Sequence, residues 1–486
     1  MLREPEGSTR PNMLYTENAK GKSRHQVFSK SYHPSMQRSQ LRIRLPKSAQ
    51  ARRIHFYRQG RTFLSMAILV SGGVVPGTNA VIDAIVREQW RYAKAHGGEA
   101  GLRVYGLQKG FQAFDNYHSS YYLLTPCERR FERELVTGEF TKGGGSILGT
   151  SRVDSLRDPT ERPKKLSAIV RMLRNELIDV LYVIGGDGSM KAAHALWSSS
   201  LLGREERPLT VIGIPQLLTN DILWVSPSLG CLSAATEAAK MLQQLSSEVR
   251  SNPRIGVVQL LGAASGFMVC QAVNSLETGT CDAILIPEVP FTIGQLSKHI
   301  AERVRSHRVT SPHALVVMAE GAVPVDILPL LDQYELPFEG QRAAQEYAAI
   351  RQKMRVITSW IDDDLRSTTL SMVSHGLRSQ LVSLIRGGAS LRVFTNEPRH
   401  LLRAMAPSEE DVRLAQRLGK FAVDTAMAGY TDVMVANWNN DIFVVPLQFT
   451  SLGVKQLNTS EALYKSVVAK IGRWASIDTA RPTTQM

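Results

Sequence analysis

LIDVLYVIGGDGSMKAAHALW, residues 177–197, decides the fold. Its first half reads as a strand over about 179–184, where apolar residues run without alternation. Its second half carries apolar residues at helical spacing, and Gly185-Gly186-Asp187-Gly188 stands between the two. A continuous apolar strand entering a glycine turn and then a helix is the repeating unit of a parallel sheet covered on both faces. Such a turn presents backbone N–H groups at a helix N-terminus, where unpaired donors and the dipole attract phosphate. A glycine at a strand end is also the ordinary residue of a tight turn, so the turn alone assigns no ligand. Asp187 adds a carboxylate, useful either to hold Mg²⁺ against phosphate oxygens or as N-cap of a helix starting near Ser189.

The same scheme recurs on both sides. Met66–Val70 is a short apolar run followed by SGGVVPGTN (71–79) and a helix-period stretch, AVIDAIVREQWRYAKAHG (80–97). RPLTVIGIP (207–215), RIGVVQLLG (254–262) and HALVVMAEGA (313–322) each read as a further central strand ending in a polar or glycine loop. YTDVMVANWNNDIFVVPLQF (430–449) reads as a hairpin turning at Asn439-Asn440. The fold class expected is α/β, with residues 322–400 the least legible stretch.

Composition narrows the class further. The chain has 486 residues, 43% hydrophobic and 21% charged, within the range of ordinary globular proteins. No run approaches the roughly 18 apolar residues of a membrane span, and no charged-then-apolar signal pattern is found. Four dispersed cysteines, Cys127, Cys231, Cys270 and Cys281, form no CxxC pair and fit a reducing compartment. Of the net charge of +14, residues 1–61 carry +11 (14 Lys or Arg against Glu4, Glu6 and Glu17). The basicity therefore belongs to an arm rich in Ser, Pro, Gln and Arg, expected to be disordered or to serve as an organelle-targeting segment. Nucleic acid is not an expected partner, since no interleaved aromatics or nucleic-acid motif accompany the charge.

Taken in order, the motifs resemble the phosphofructokinase family along about residues 64–455. SGGVVPGTNAVI resembles its first nucleotide loop, with Val74 and Val75 departing from the pattern. GGSILGTSR (144–152) resembles the segment whose last arginine, here Arg152, contacts nucleotide phosphates, and VIGGDGS resembles the magnesium and phosphate loop. GIPQLLTNDI (213–222) falls on GIPKTIDNDI, and RIGVVQLLGAASGF on the strand ending in MGRxSGF. IPEVPF, AEGA, EPRHLLRAMAPSEED and AMAGYTDVMVANWNNDIFVVPL follow in family order, with the pattern nearest the long ATP-dependent enzymes of trypanosomatid type.

The resemblance implies two Rossmann-like three-layer α/β domains, and ATP with Mg²⁺ as cofactors. Nucleotide phosphates would meet Gly73, Arg152, Asp187, Gly188 and Ser189, with Asp187 on the metal. Gly188 leaves room for the α-phosphate of ATP where an aspartate would favour pyrophosphate. Fructose 6-phosphate or a related sugar phosphate would meet Arg254 (from a neighbouring subunit), Glu320 and Arg403. The implied boundaries are a nucleotide domain over 62–230 plus about 401–455, a sugar-phosphate domain over 231–400, and a C-terminal extension over 456–486.

The catalytic loop departs most from its relatives. Beside KTIDND, QLLTND puts Gln216 at the lysine, Leu217 at the threonine and Thr219 at the general-base aspartate, while Asp221 survives. Ala263 replaces the arginine of MGR. In-line phosphoryl transfer needs donors and metal on the phosphates, cations for the transition-state charge and a carboxylate for the hydroxyl proton. A phosphofructokinase-like protein with little or no kinase activity is therefore expected, as a regulatory or structural partner of an active paralogue. A homo-tetramer is the family assembly. One alternative is an active enzyme using Asp221, although an extended 219–221 loop would hold the two residues about 6–7 Å apart. Others are a diacylglycerol- or NAD-kinase-like enzyme, which shares GGDG, and a binding module working through the basic arm. A cytoplasmic or organellar location is expected.

Overall fold

The computed structural model describes residues 64–96, 101–115, 121–124, 139–151, 156, 160–202, 209–307, 312–325, 363–385 and 392–472, and a two-strand ribbon pairing Thr16–Glu17 with Ser23–Arg24. The remainder of the basic arm and Arg152 lie outside the described residues. The described strands are β1 (Leu64–Ser71), β2 (Leu102–Leu107), β3 (Tyr121–Leu123), β4 (Ile178–Gly185), β5 (Thr210–Pro215), β6 (Arg254–Leu260), β7 (Ala283–Leu285), β8 (Ala314–Ala319), β9 (Arg392–Asn396), β10 (Val433–Trp438) and β11 (Asp441–Pro446). The helices are α1 (Thr78–Ala95), α2 (Glu139–Lys142), α3 (Arg162–Asn175), α4 (Asp187–Ser200), α5 (Cys231–Ser251), α6 (Phe267–Asn274), α7 (Ile293–Ser306), α8 (Asp363–Leu384), α9 (Arg399–Ala404), α10 (Glu409–Met427) and α11 (Ala462–Ile471).

The chain forms two compact α/β units. The first holds the described residues from Leu64 to Leu217, then Ile222–Gly230 and Arg403–Gly453. Its sheet runs β11-β10-β5-β4-β1-β2-β3, with parallel neighbours from β10 to β2 and antiparallel β11 and β3 at the edges. β1 and β4 are buried along their whole length, as continuous apolar strands with both faces covered must be. Asn439 and Asn440 turn the closing hairpin with φ of 50° and 71°, the left-handed pair that a two-residue connection demands.

Helices α1 and α10 cover this sheet together. Ser408 starts α10 by accepting the Asp411 N–H, and three acids follow in its first turn, where the dipole favours them. Gly419 permits the close approach: a Cβ there would stand 2.7 Å from the Ala84 Cβ and 2.8 Å from the Val81 carbonyl oxygen. No larger residue fits without separating the helices.

The second unit holds Leu218–Asp221 and the described residues of Cys231–Leu402 and from Val454 to Gly472. Its four strands run β9-β6-β8-β7, all parallel. α7 opens with a reciprocal cap in which Thr292 and Gln295 each accept the other's backbone N–H. The described residues after 456 group with this unit. There Ser466 of α11 donates to Asn274 Oδ1 at 2.7 Å, and the Lys470 ammonium donates to the Leu276 carbonyl at 2.8 Å, closing the end of α6.

Candidate functional site

The first unit brings its glycine turns together by register. Ser71 at the end of β1 pairs with Gly185 at the end of β4, and Gly185 with Pro215 at the end of β5. Three strand-to-helix junctions therefore open side by side at the carboxyl edge, the usual ligand position in such sheets. Helix α4 begins at Asp187 itself, with Gly186 as its N-cap, two residues earlier than the sequence suggests. The carboxylate stands in the first turn, where the dipole favours it. The Ser189 hydroxyl turns inward and donates to the Ser71 carbonyl at 3.2 Å, tying the two turns together. Thr150 and Gly72 are joined in turn, through a 2.7 Å bond from the Thr150 hydroxyl to the Gly72 carbonyl and a 2.9 Å bond from the Gly72 N–H to the Ser151 carbonyl.

Two glycines here carry information about space. A Cβ on Gly188 would meet nothing within 4 Å, so packing does not require glycine and the opening it leaves is available to a ligand. A Cβ on Gly73 would lie 1.9 Å from Arg403 Nη1, which places that guanidinium directly over the first glycine turn. A glycine-lined helix N-terminus with a guanidinium beside it fits phosphate oxygens. Asp187 is paired with Lys191 one helical turn on, at 2.6 Å, yet keeps 26% of its side chain exposed. A divalent cation would take the place of that ammonium. One carboxylate suits Mg²⁺ bound largely through substrate phosphates, and the described residues contain no cluster of three or more acids, histidines or cysteines for a closed protein cage.

Gln216 has a structural occupation in this unit. It is 1% exposed, and its N–H donates to the Gly185 carbonyl at 2.9 Å. Thr78, the first residue of α1, has one hydroxyl proton but two acceptors: the Val75 carbonyl at 2.8 Å and the Gln216 Oε1 at 2.9 Å. With the proton on Val75 and the Gln216 amide turned over, Nε2 donates to the Thr78 oxygen, and the buried amide donor left without a partner in the opposite orientation is satisfied.

In the second unit, loop 218–221 carries Thr219 and Asp221, both under 10% exposed. The Thr219 hydroxyl donates to Asp221 Oδ1 at 2.7 Å. The expected separation of the two assumed an extended loop. Asn220 instead adopts φ of 53°, and this left-handed residue folds the two side chains toward one another. Ser265, from the turn after β6, donates to the Thr219 carbonyl at 3.3 Å. That turn is held in place by Glu288, whose carboxylate accepts the Gly266 N–H at 3.0 Å and the Leu457 N–H at 2.9 Å.

A cation that no motif announces completes this loop. The Lys455 N–H donates to the Asp221 carbonyl at 2.8 Å, its ammonium donates to Asn220 Oδ1 at 3.2 Å, and it stands 4.9 Å from the Phe267 ring centroid. Burial lowers its pKa to about 8, while Cys231, Asp221 and Glu461 pull the other way.

The remaining predicted sugar-side residues are dispersed. Glu320, 4% exposed at the end of β8, faces Arg399 at 3.6 Å. Arg399 was not singled out from the sequence, although it lies one helical turn before Arg403 on α9. Arg254 opens β6, about 20 Å of strand from its carboxyl end, and pairs with Glu248 at 3.4 Å, against the Phe394 ring. It joins neither Glu320 nor Thr219 in this chain. Lys191, Glu288, Arg399 and Lys455 were not singled out from the sequence; the first three lay unremarked within quoted motifs, and Lys455 lay in none.

Comparison with known proteins agrees with this architecture. A model of the family "Phosphofructokinase" matches residues 65–426, about three quarters of the chain, and the chain belongs to that family. Among curated relatives, an ATP-dependent 6-phosphofructokinase of Entamoeba histolytica is 28% identical over 405 residues, covering 83% of this chain and 80% of its own. One from Thermotoga petrophila is 28% identical over 385 residues, covering 79% and 92%. Among solved structures, a pyrophosphate-dependent phosphofructokinase from Marinobacter aquaeolei superposes with a TM-score of 0.60 at 17% identity, covering 84% of this chain and 91% of its own. Phosphofructokinase from Saccharomyces cerevisiae gives 0.55 at 21% identity, covering 84% and 48%.

Proposed function

We propose that this chain keeps the nucleotide and sugar-phosphate sites of an ATP-dependent 6-phosphofructokinase but transfers the phosphoryl group to fructose 6-phosphate only slowly. The observation that carries this reading is the Thr219 hydroxyl donating to Asp221. At the position of the proton acceptor stands a neutral donor, which cannot take a proton near neutral pH. Loss of a general base typically lowers the rate by about 10²–10⁴. Gln216 is neutral and bound to Thr78, and loss of charge stabilisation on the transferred group lowers the rate by about another 10²–10³. Bound Mg-ATP would supply a transferable phosphoryl group with part of its charge neutralised. Gly73 and Gly188 would cradle the nucleotide phosphates, Arg403, expected on the sugar phosphate, would serve them instead from its place beside Gly73, and Asp187 would hold the metal after release from Lys191. A chain of this kind acts best as a nucleotide-responsive partner of an active paralogue, in a tetramer where Arg254 faces a neighbour.

The test is a pair of measurements on the purified full-length chain. Titration with Mg-ATP should show binding, and coupled turnover with fructose 6-phosphate should lie at least about 10³-fold below an ordinary family rate of 1–100 s⁻¹. Turnover in that ordinary range overturns the reading, and absence of nucleotide binding removes the sensing role.

The 2.7 Å bond also favours a second reading, in which Thr219 passes a proton from the sugar hydroxyl to Asp221 and residual activity is larger. Asp221→Asn separates the two: it abolishes relayed turnover and leaves an unrelayed background unchanged.

A further inference from the structure

We infer that Lys455 is an anion-binding residue of the 219–221 loop, placed to take the phosphate that distinguishes a doubly from a singly phosphorylated sugar. The inference deepens the reading above, because it assumes that this loop faces the sugar carbon that carries the new phosphate. The Lys455 main chain is fixed by its N–H on the Asp221 carbonyl at 2.8 Å, and its ammonium meets Asn220 Oδ1 at 3.2 Å and the Phe267 ring at 4.9 Å. All three groups stand at or beside residues that hold the Thr219–Asp221 pair.

A purely structural lysine is the competing explanation, and the contacts weigh against it. The segment is already docked by main-chain bonds, Lys455 N–H to Asp221 and Leu457 N–H to Glu288, neither of which uses the ammonium. An apolar side chain of equal length would pack against Phe267 without the cost of desolvating a charge. Burial depresses the ammonium's pKa to about 8, the signature of that cost, and the neighbouring Asp221 and Glu461 carboxylates only partly offset it. A cation kept in such a place is suited to meet an anion. At position 216, in the same loop sequence, the side chain is the neutral Gln216. Lys455 reaches the loop from 235 residues further along the chain and supplies a positive charge there.

The experiment measures calorimetric dissociation constants of the full-length protein for fructose 1,6-bisphosphate and fructose 6-phosphate, in the wild type, Lys455→Met and Lys455→Arg, with melting temperatures as a folding control. Wild type is expected to prefer the bisphosphate. Lys455→Met should weaken the bisphosphate by about tenfold or more, the usual loss of a charge-assisted hydrogen bond, and leave the monophosphate within about twofold. Lys455→Arg should retain most of the preference. Equal loss for both sugars, or an unaltered bisphosphate constant in Lys455→Met, overturns the inference, as does a loss that Lys455→Arg fails to rescue while still folded. Selective bisphosphate loss in a wild type that binds no nucleotide leaves Lys455 standing and sinks the kinase reading instead. Failure of wild type to bind either sugar overturns both.

Discussion

Thr219 and Asp221 share a 2.7 Å hydrogen bond, closed across an asparagine with φ of 53°. A carboxylate introduced at 219 would therefore stand within hydrogen-bond distance of another carboxylate. Two acids so close cannot both ionise easily, and one pKa of the pair rises. Thr219→Asp combined with Gln216→Lys is expected to raise turnover by about 10²–10⁴. Thr219→Asp alone should gain less at pH 6.5 than at pH 8.5, because the pair then retains a proton. A pH–rate profile of the three proteins checks both statements, and no gain in the double variant at any pH would mean that the missing rate lies elsewhere.

Gly188 separates ligand effects from folding. Its side is open to 4 Å, so Gly188→Asp should melt within about 2 °C of wild type. The added carboxylate stands where phosphate oxygens are expected, so Mg-ATP affinity should fall by at least about tenfold. Unchanged affinity in a folded variant would place the nucleotide phosphates away from α4.

A contrast between Gly73 and Gly144 tests the position of Arg403. A Cβ at Gly144 meets the Ala404 carbonyl oxygen at 1.9 Å, a main-chain atom that cannot step aside. Gly144→Ala should lower the melting temperature by at least about 2 °C. A Cβ at Gly73 meets only the end of a flexible arginine, also at 1.9 Å. Gly73→Ala should therefore cost little stability while displacing the guanidinium and weakening nucleotide binding. Thermal melts and the ATP titration report the two effects separately.

Asp424 gives a prediction with a definite pH sense. Burial pushes its carboxyl up to about 6 from the ordinary 3.8, with Glu88 adding to the rise, although the Tyr92 hydroxyl donates to it at 2.9 Å. The folded state holds this proton more tightly than the unfolded chain does. The contribution is favourable below about pH 4 and is lost as pH rises through about 6. Asp424→Asn keeps an acceptor for Tyr92 and removes the buried charge. Unfolding in urea should find it more stable than wild type by about 1–2 kcal/mol at pH 7.5, with the difference gone near pH 4. A loss at pH 7.5 would mean that Arg91, 4.0 Å away, contributes more than the charge costs.

Much of the architecture was legible because buried parallel strands have one physical signature. Met66–Val70 and the run before Gly185 could not be solvent-exposed on either face, and the turns after them needed glycine. Asn439-Asn440 announced its hairpin because few residue pairs adopt two consecutive left-handed conformations. The fine geometry of the site was not local. Asn220 is free to be extended or left-handed, and only the surrounding fold selects the second. Arg399 and Arg403 differ by one helical turn on α9, yet one meets Glu320 and the other Gly73. Lys455 sits in a stretch with no motif at all, and its importance lies wholly in what it touches.

The bond between Asn220 and Lys455 spans 235 residues of chain. At ribosomal rates of about 5–20 residues per second, the loop waits roughly 12–47 s after its own synthesis before the lysine exists. During that interval the nascent protein has its glycine turns, and the loop lacks this charge. The charge environment of the loop is thus completed late, once residue 455 has been translated.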